Sequence, residues 1–197
     1  MLAVAAGAER LTQAMRSLEA AFLIGVEGVT TVWLVRHGDC YEDMAEGPDP
    51  PLSPTGRKQA KRLAERVHKA GPAVIYSSPY RRALETARAI SEDVREDPRL
   101  VEIDLELGED GALDFKEPAK SVVERMRSAI DDIVSAHPGK HVVVVTHGVA
   151  LMAYISDVLR LEPGQLRILP YYTSVSIVRA LGDMRMVGGI ADTAHLE

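Results

Sequence analysis

The chain has 197 residues, 46% of them hydrophobic, which suits one globular domain with a substantial core and excludes a disordered or fibrous protein. Its 23 Lys and Arg against 29 Asp and Glu give a formal charge of −6, so no nucleic-acid partner is expected, because such partners select a basic surface. A small anionic substrate is still allowed, since a few Arg and His can set the field inside one cleft. Cys40 is the single cysteine, so no disulfide can form within the chain and a reducing, cytoplasmic location is expected. No apolar run approaches a membrane span, and Met1–Gly7 lacks the basic start of a signal peptide, so no membrane association is expected.

Ala8 to Ile24 reads as a helix. Leu11, Met15, Leu18 and Phe22 recur at heptad-like spacing and form one apolar stripe, expected to pack on the domain or, in a homodimer, on a partner subunit. After Gly28, Thr31–Val35 is a short β-branched run and reads as a strand. A loop rich in Pro and acid, Asp39 to Pro51, leads to Ser53-Pro54, the N-cap and first residue of a helix that Gly71-Pro72 stops. Ala73–Tyr76 is a second strand, and Ser78-Pro79 opens a helix with Ala83, Leu84, Ala87 and Ile90 inward. Val122, Met126, Ile130 and Ile133 mark another helix, ended by Pro138-Gly139. Val142–Val145 is four valines in a row, the pattern of a strand buried on both faces. Val149 to Leu159 reads as a helix, and Val175–Ala180 with Met184–Val187 as a hairpin turned at Gly182-Asp183.

Strands alternating with helices predict a three-layer α/β/α sandwich with a largely parallel sheet. Ligands in such sheets bind beyond the carboxyl ends of the strands. There the first strand ends in Arg36-His37-Gly38, the second runs through Ser77-Ser78-Pro79 to Arg82, and the third ends in Thr146-His147-Gly148. A lone His after a strand is usually structural and a lone Arg is usually a surface charge. Two His and two Arg at equivalent positions, above helix N-termini whose N–H groups favour anions, predict a site for a phosphate-sized anion.

Three stretches in order, VWLVRHGDC with PLSPTGRKQA (Val32 to Ala60), YSSPYRRALETARAI (Tyr76–Ile90) and VVVVTHGVAL (Val142–Leu151), resemble the histidine phosphatase superfamily, which includes the phosphoglycerate mutases. The resemblance runs from about Thr31 to about Ala180. It implies a helical extension over 1–28 and a histidine phosphatase domain over 29–197. It also implies that His37 takes a phosphoryl group as nucleophile, with Arg36, Arg82 and His147 donating to the phosphate oxygens. A carboxylic acid between the second and third motifs would protonate the leaving group. Glu102 fits the family pattern best and Glu106 comes second. Neither a metal nor another cofactor is implied.

The chain departs from that family in two places. Cys40 and Asp43 stand where Thr or Ser and Asn are usual, so phosphate binding is weaker or the loop is rearranged. Cys40 is expected to be a small buried hydrophobe. Near the last strand, Thr173 or Ser174 is a candidate donor. The stretch from Glu102 to Val122 is short for a lid, which favours hydrolysis of a small phosphorylated substrate over mutase action. The alternatives are a phosphoglycerate mutase-type phosphotransferase and a phospho-ligand binding or regulatory module with little turnover. His68, His137, His141 and His195 are expected at the surface.

Overall fold

The computed structural model describes residues 2–40, 49–71, 73–107, 112–162 and 165–197. In chain order they form α1 (Leu2–Ala21), β1 (Thr30–Arg36), α2 (Pro54–Ala70), β2 (Val74–Ser77), α3 (Arg81–Arg88), β3 (Val94–Glu96), β4 (Leu105–Leu107), β5 (Leu113–Phe115), α4 (Ala119–Ala136), β6 (His141–Thr146), α5 (Gly148–Val158), β7 (Val175–Leu181) and β8 (Met184–Asp192). Short 3-10 turns lie at Pro98–Leu100 and Ala194–Leu196.

The main sheet has the order β3-β2-β6-β1-β7-β8. Its first four strands are parallel, and β7 and β8 close one side antiparallel. The fold is thus the α/β sandwich read from the sequence. Strand period explains its two cores. Val142 and Val144 point to the layer holding Met126, Ile130, Leu151 and Ile155 of α4 and α5. Val143 and Val145 point to the layer holding Leu63 and Val67 of α2 and Ala83 and Ala87 of α3. All four valines are fully buried, each contributing about 1.5–3 kcal/mol.

Several elements differ from expectation. The N-terminal helix starts earlier and ends at Ala21, because Leu23, buried and at φ +56, closes it. The Leu23 N–H bonds the Ala20 carbonyl and the Ile24 N–H bonds that of Glu19, a Schellman cap with leucine where glycine is usual. Leu11, Met15, Leu18 and Phe22 do not pack on the domain; all are exposed. α3 begins at Arg81, not at Ser78-Pro79, and Ser78 serves the site instead. β3 and the small β4–β5 hairpin had no sequence signal, being three residues long each. Pro72 lies outside the described residues, and Gly71 closes α2 at φ +108. None of the helices described is long and apolar enough to cross a membrane.

Candidate active site

β1 and β6 are neighbours, with Arg36 paired to Thr146, so the residues that follow them emerge side by side. The rings of His37 and His147 lie 5.1 Å apart, centroid to centroid, inclined at 61°. Both are almost fully buried. α3 delivers Arg82 in its first turn, and Arg82 Nε donates to His37 Nε2 across 3.3 Å. Arg36, last residue of β1, has its guanidinium 4.1 Å from the Tyr172 ring centre, and its Nη1 donates to the Pro170 carbonyl across 2.8 Å. The structure therefore brings His37, His147, Arg36 and Arg82 into one cleft.

The glycine after His37 is required by packing. A Cβ on Gly38 would lie 2.8 Å from the Gly56 carbonyl oxygen, and one on Gly56 would lie 2.0 Å from that of Asp39. α2 thus abuts the loop that carries His37. Ser53 secures this contact: its hydroxyl donates to Asp39 Oδ2 and accepts from the Gly56 N–H. Thr86 ties the same loop to α3, accepting from the Gly38 N–H and donating to the Arg82 carbonyl.

Hydrogen bonds set the state of each imidazole. His37 Nδ1 is 2.7 Å from the Gly38 carbonyl oxygen, which can only accept, so Nδ1 holds the proton and Nε2 the lone pair. Burial, with Arg82 and Arg36 beside the ring, drops the His37 pKa to about 3 despite the favourable carbonyl contact. His147 is likewise kept neutral, by burial first and then by His37 and Arg82. Its Nε2 lies 2.8 Å from Ser78 Oγ. His147 Nδ1 and Arg36 Nε are buried with no partner among the described residues, two polar atoms that a tetrahedral anion would satisfy.

The helix N-termini are not free for an anion, contrary to expectation. His147 occupies the N-cap of α5 but its side chain does no capping. Glu102 caps instead, its carboxylate accepting from the N–H groups of Val149 and Ala150 at 3.1 and 2.9 Å. Asp49 does the same for α3, accepting from the Arg81 N–H, and also pairs with Arg82 at 3.2 Å. An anion in this cleft would therefore meet side chains and not free helix N–H groups. Arg125 of α4 holds the segment carrying Glu102 by donating to the carbonyls of Arg99, Val101 and Glu102.

The remaining candidates separate. Cys40 is buried, and burial raises its thiol pKa to about 11. Asp43 lies outside the described residues. Glu106 is exposed on β4 and pairs with Lys116. Thr173 is buried, but its hydroxyl faces His195 and its N–H bonds the carbonyls of Arg36 and His37, so it braces the site from behind. Of the four histidines expected at the surface, His68 is exposed, whereas His137, His141 and His195 are half-buried against Tyr76, Trp33 and Thr173. Sequence reading missed Asp49, Thr86, His195 and Tyr80, whose ring centre lies 5.2 Å from that of His147 and 4.8 Å from the Arg82 guanidinium, and it cast Ser78 as a helix cap. Of these, Ser78, Tyr80 and Thr86 stand within the second motif, Thr86 one turn beyond Arg82.

The family model for the histidine phosphatase superfamily, branch 1, matches residues 32–111 and 108–193. The chain belongs to this superfamily and is an enzyme of it. It is 34% identical over 161 residues to the "Probable phosphoglycerate mutase GpmB" of Proteus mirabilis, covering 66% of this chain and 75% of that one. To phosphoserine phosphatase 1 of Hydrogenobacter thermophilus it is 33% identical over 141 residues, covering 58% and 67%. Among solved structures, YhfR of Bacillus stearothermophilus superposes with a TM-score of 0.73 at 29% identity, covering 85% of this chain and all of that one.

Proposed function

We propose that the protein is a metal-independent phosphatase that hydrolyses a small phosphomonoester through a phosphohistidine on His37. The observation that carries this reading is the His37 ring, its Nδ1 held by a carbonyl, set 5.1 Å from His147 with Arg82 at its free nitrogen. His37 Nε2 attacks phosphorus as the ester P–O bond breaks, and the leaving oxygen takes a proton from the Glu102 carboxyl. Water then attacks the phosphohistidine, giving its proton to Glu102 as the N–P bond breaks. Arg36, Arg82 and His147 hold the equatorial oxygens, and the two guanidiniums supply the fixed positive charge.

Between Glu102 and α4 the chain has room only for the β4–β5 hairpin, which supports hydrolysis over mutase action. The small substrate accords with the relatives named for phosphoserine and phosphoglycerate. The same proposal places residues 1–28 as a helical extension and 29–197 as the catalytic domain, supported by the exposed α1 and a family match beginning at residue 32. The exposed apolar stripe on α1 supports a homodimer, which a monomeric native mass would remove. The lone cysteine supports a cytoplasmic location.

The test is phosphate release from p-nitrophenyl phosphate in the presence of EDTA. Release that persists with chelator and vanishes in His37→Ala supports the reading, and release lost on chelation overturns it. Phosphoryl exchange between 2- and 3-phosphoglycerate outpacing phosphate release would instead establish the mutase. Phosphate binding with no trapped phosphohistidine would establish a binding module.

A further inference from the structure

We propose that His195 is a positioning residue for His37, acting through Thr173. The proposal deepens the phosphatase reading of the cleft and depends on it for its effect on turnover.

Thr173 sits at φ +57, a region that a β-branched residue rarely enters. Such a conformation costs about 1–3 kcal/mol and persists only where the surroundings over-determine it. Here it has a use. The Thr173 N–H is 2.9 Å from the Arg36 carbonyl oxygen and 3.3 Å from that of His37, so one donor clamps the last two peptide groups of the segment bearing both side chains. Thr173 is completely buried, and its hydroxyl lies 3.1 Å from His195 Nε2.

The direction of that bond can be deduced. Arg66 Nη1 is 3.3 Å from His195 Nδ1, and a guanidinium has only donors. Nδ1 therefore accepts, the proton of the neutral ring is on Nε2, and Nε2–H donates to the threonine hydroxyl. Arg66 is itself fixed, donating to Asp192 Oδ2 across 2.6 Å with its guanidinium 5.2 Å from the Trp33 ring centre. Asp192 also accepts from the Ala194 N–H at 2.8 Å, which shapes the turn presenting His195. Burial and then Arg66 lower the His195 pKa to about 4, with Asp192 opposing, so the ring is in the neutral form at pH 7. A chain of contacts thus runs from α2 and β8 through His195 and Thr173 to the end of β1.

The experiment combines residue-resolved amide exchange on the full chain with kcat and KM for p-nitrophenyl phosphate, in wild type, His195→Ala and His195→Gln. His195→Ala is expected to speed exchange at the Thr173 amide at least about tenfold, with Val142–Val145 unchanged. It is expected to lower kcat by about 10- to 100-fold with KM held within about twofold, since misplacing the nucleophile costs rate more than binding. His195→Gln, whose amide N–H can reach the same hydroxyl, recovers most of both. In a Thr173→Gly background, where the backbone adopts positive φ freely, removing His195 changes kcat little. Should His195→Ala not fold, His195→Asn, too short to reach the hydroxyl, takes its place. Equal Thr173 exchange in wild type and variant overturns the proposal whatever the activity, as does faster exchange with unchanged kcat. If wild type itself releases no phosphate, the phosphatase reading falls, while amide exchange still decides whether His195 holds Thr173.

Discussion

His37 gives its Nδ1 proton to the carbonyl of the very next residue, Gly38, at 2.7 Å. A backbone carbonyl does not titrate, so the tautomer that leaves Nε2 unprotonated is held by a covalent neighbour at one nitrogen while Arg82 donates to the other. Replacing His37 by Ala removes the atom proposed to accept the phosphoryl group. Phosphate release is expected to fall to background, and the acid-labile, base-stable phosphoenzyme signal in 31P NMR to vanish. A variant that still forms that species would sink the assignment of the nucleophile.

Acid should weaken the fold through the same ring. Its folded pKa is lowered from 6.5 to about 3, so on acidification the unfolded chain takes a proton that the folded chain refuses. This contribution to stability is complete above pH 6.5 and is lost as the pH falls towards 3, with a slope of up to about 1.4 kcal/mol per pH unit. Urea midpoints at pH 7 and pH 5 check this: wild type should lose more stability over that interval than His37→Phe does.

Arg82→Lys keeps the charge but not the geometry. One guanidinium reaches both His37 Nε2 and Asp49, which a single ammonium cannot reproduce with the same fork. Loss of one preorganised donor costs about 10²- to 10³-fold in rate, and the inhibition constant of inorganic phosphate should rise in parallel. Steady-state kinetics with phosphate as inhibitor measure both.

Glu102→Gln separates two jobs of one side chain. The amide oxygen can keep one of the two bonds to α5, but the NH2 group cannot accept the other, so stability should fall by about 1 kcal/mol. Proton donation is lost, which matters most for poor leaving groups. Alkyl phosphates should slow by about 10²- to 10⁴-fold and p-nitrophenyl phosphate far less. Equal losses on both substrates would exclude Glu102 as the acid.

Cys40 should be inert in the folded protein. It is buried, and its thiol pKa is raised to about 11, so little thiolate forms at pH 8. Ellman's reagent should label it slowly in buffer and at once in guanidinium chloride. Cys40→Ala should keep kcat near wild type.

The side chains proposed to bind the anion could be read from the sequence because each belongs to a motif local to one strand end. Arg36-His37, Arg82 and His147 required only the rule that parallel sheets gather their carboxyl ends. What stayed hidden depends on long-range encounters. Asp49 meets the start of α3 across 32 positions of sequence, and Ser78 looked like a cap because its bond to His147 spans two strands. His195 read as a surface residue because nothing near it in the chain announces Thr173, which the β7–β8 hairpin brings to it. The three-residue strands carried too few side chains to show a period.

β1, made first among the strands, ends up flanked by β6 and β7, both from the C-terminal half, with Thr31 paired to His141 on one side and Arg179 on the other. During synthesis the segment bearing His37 must therefore wait, its edges unpaired, until β6 and β7 have left the ribosome. Fragments that stop before β6 leave both edges of β1 unpaired and lack His147, so this architecture ties the assembly of the cleft to strands made late.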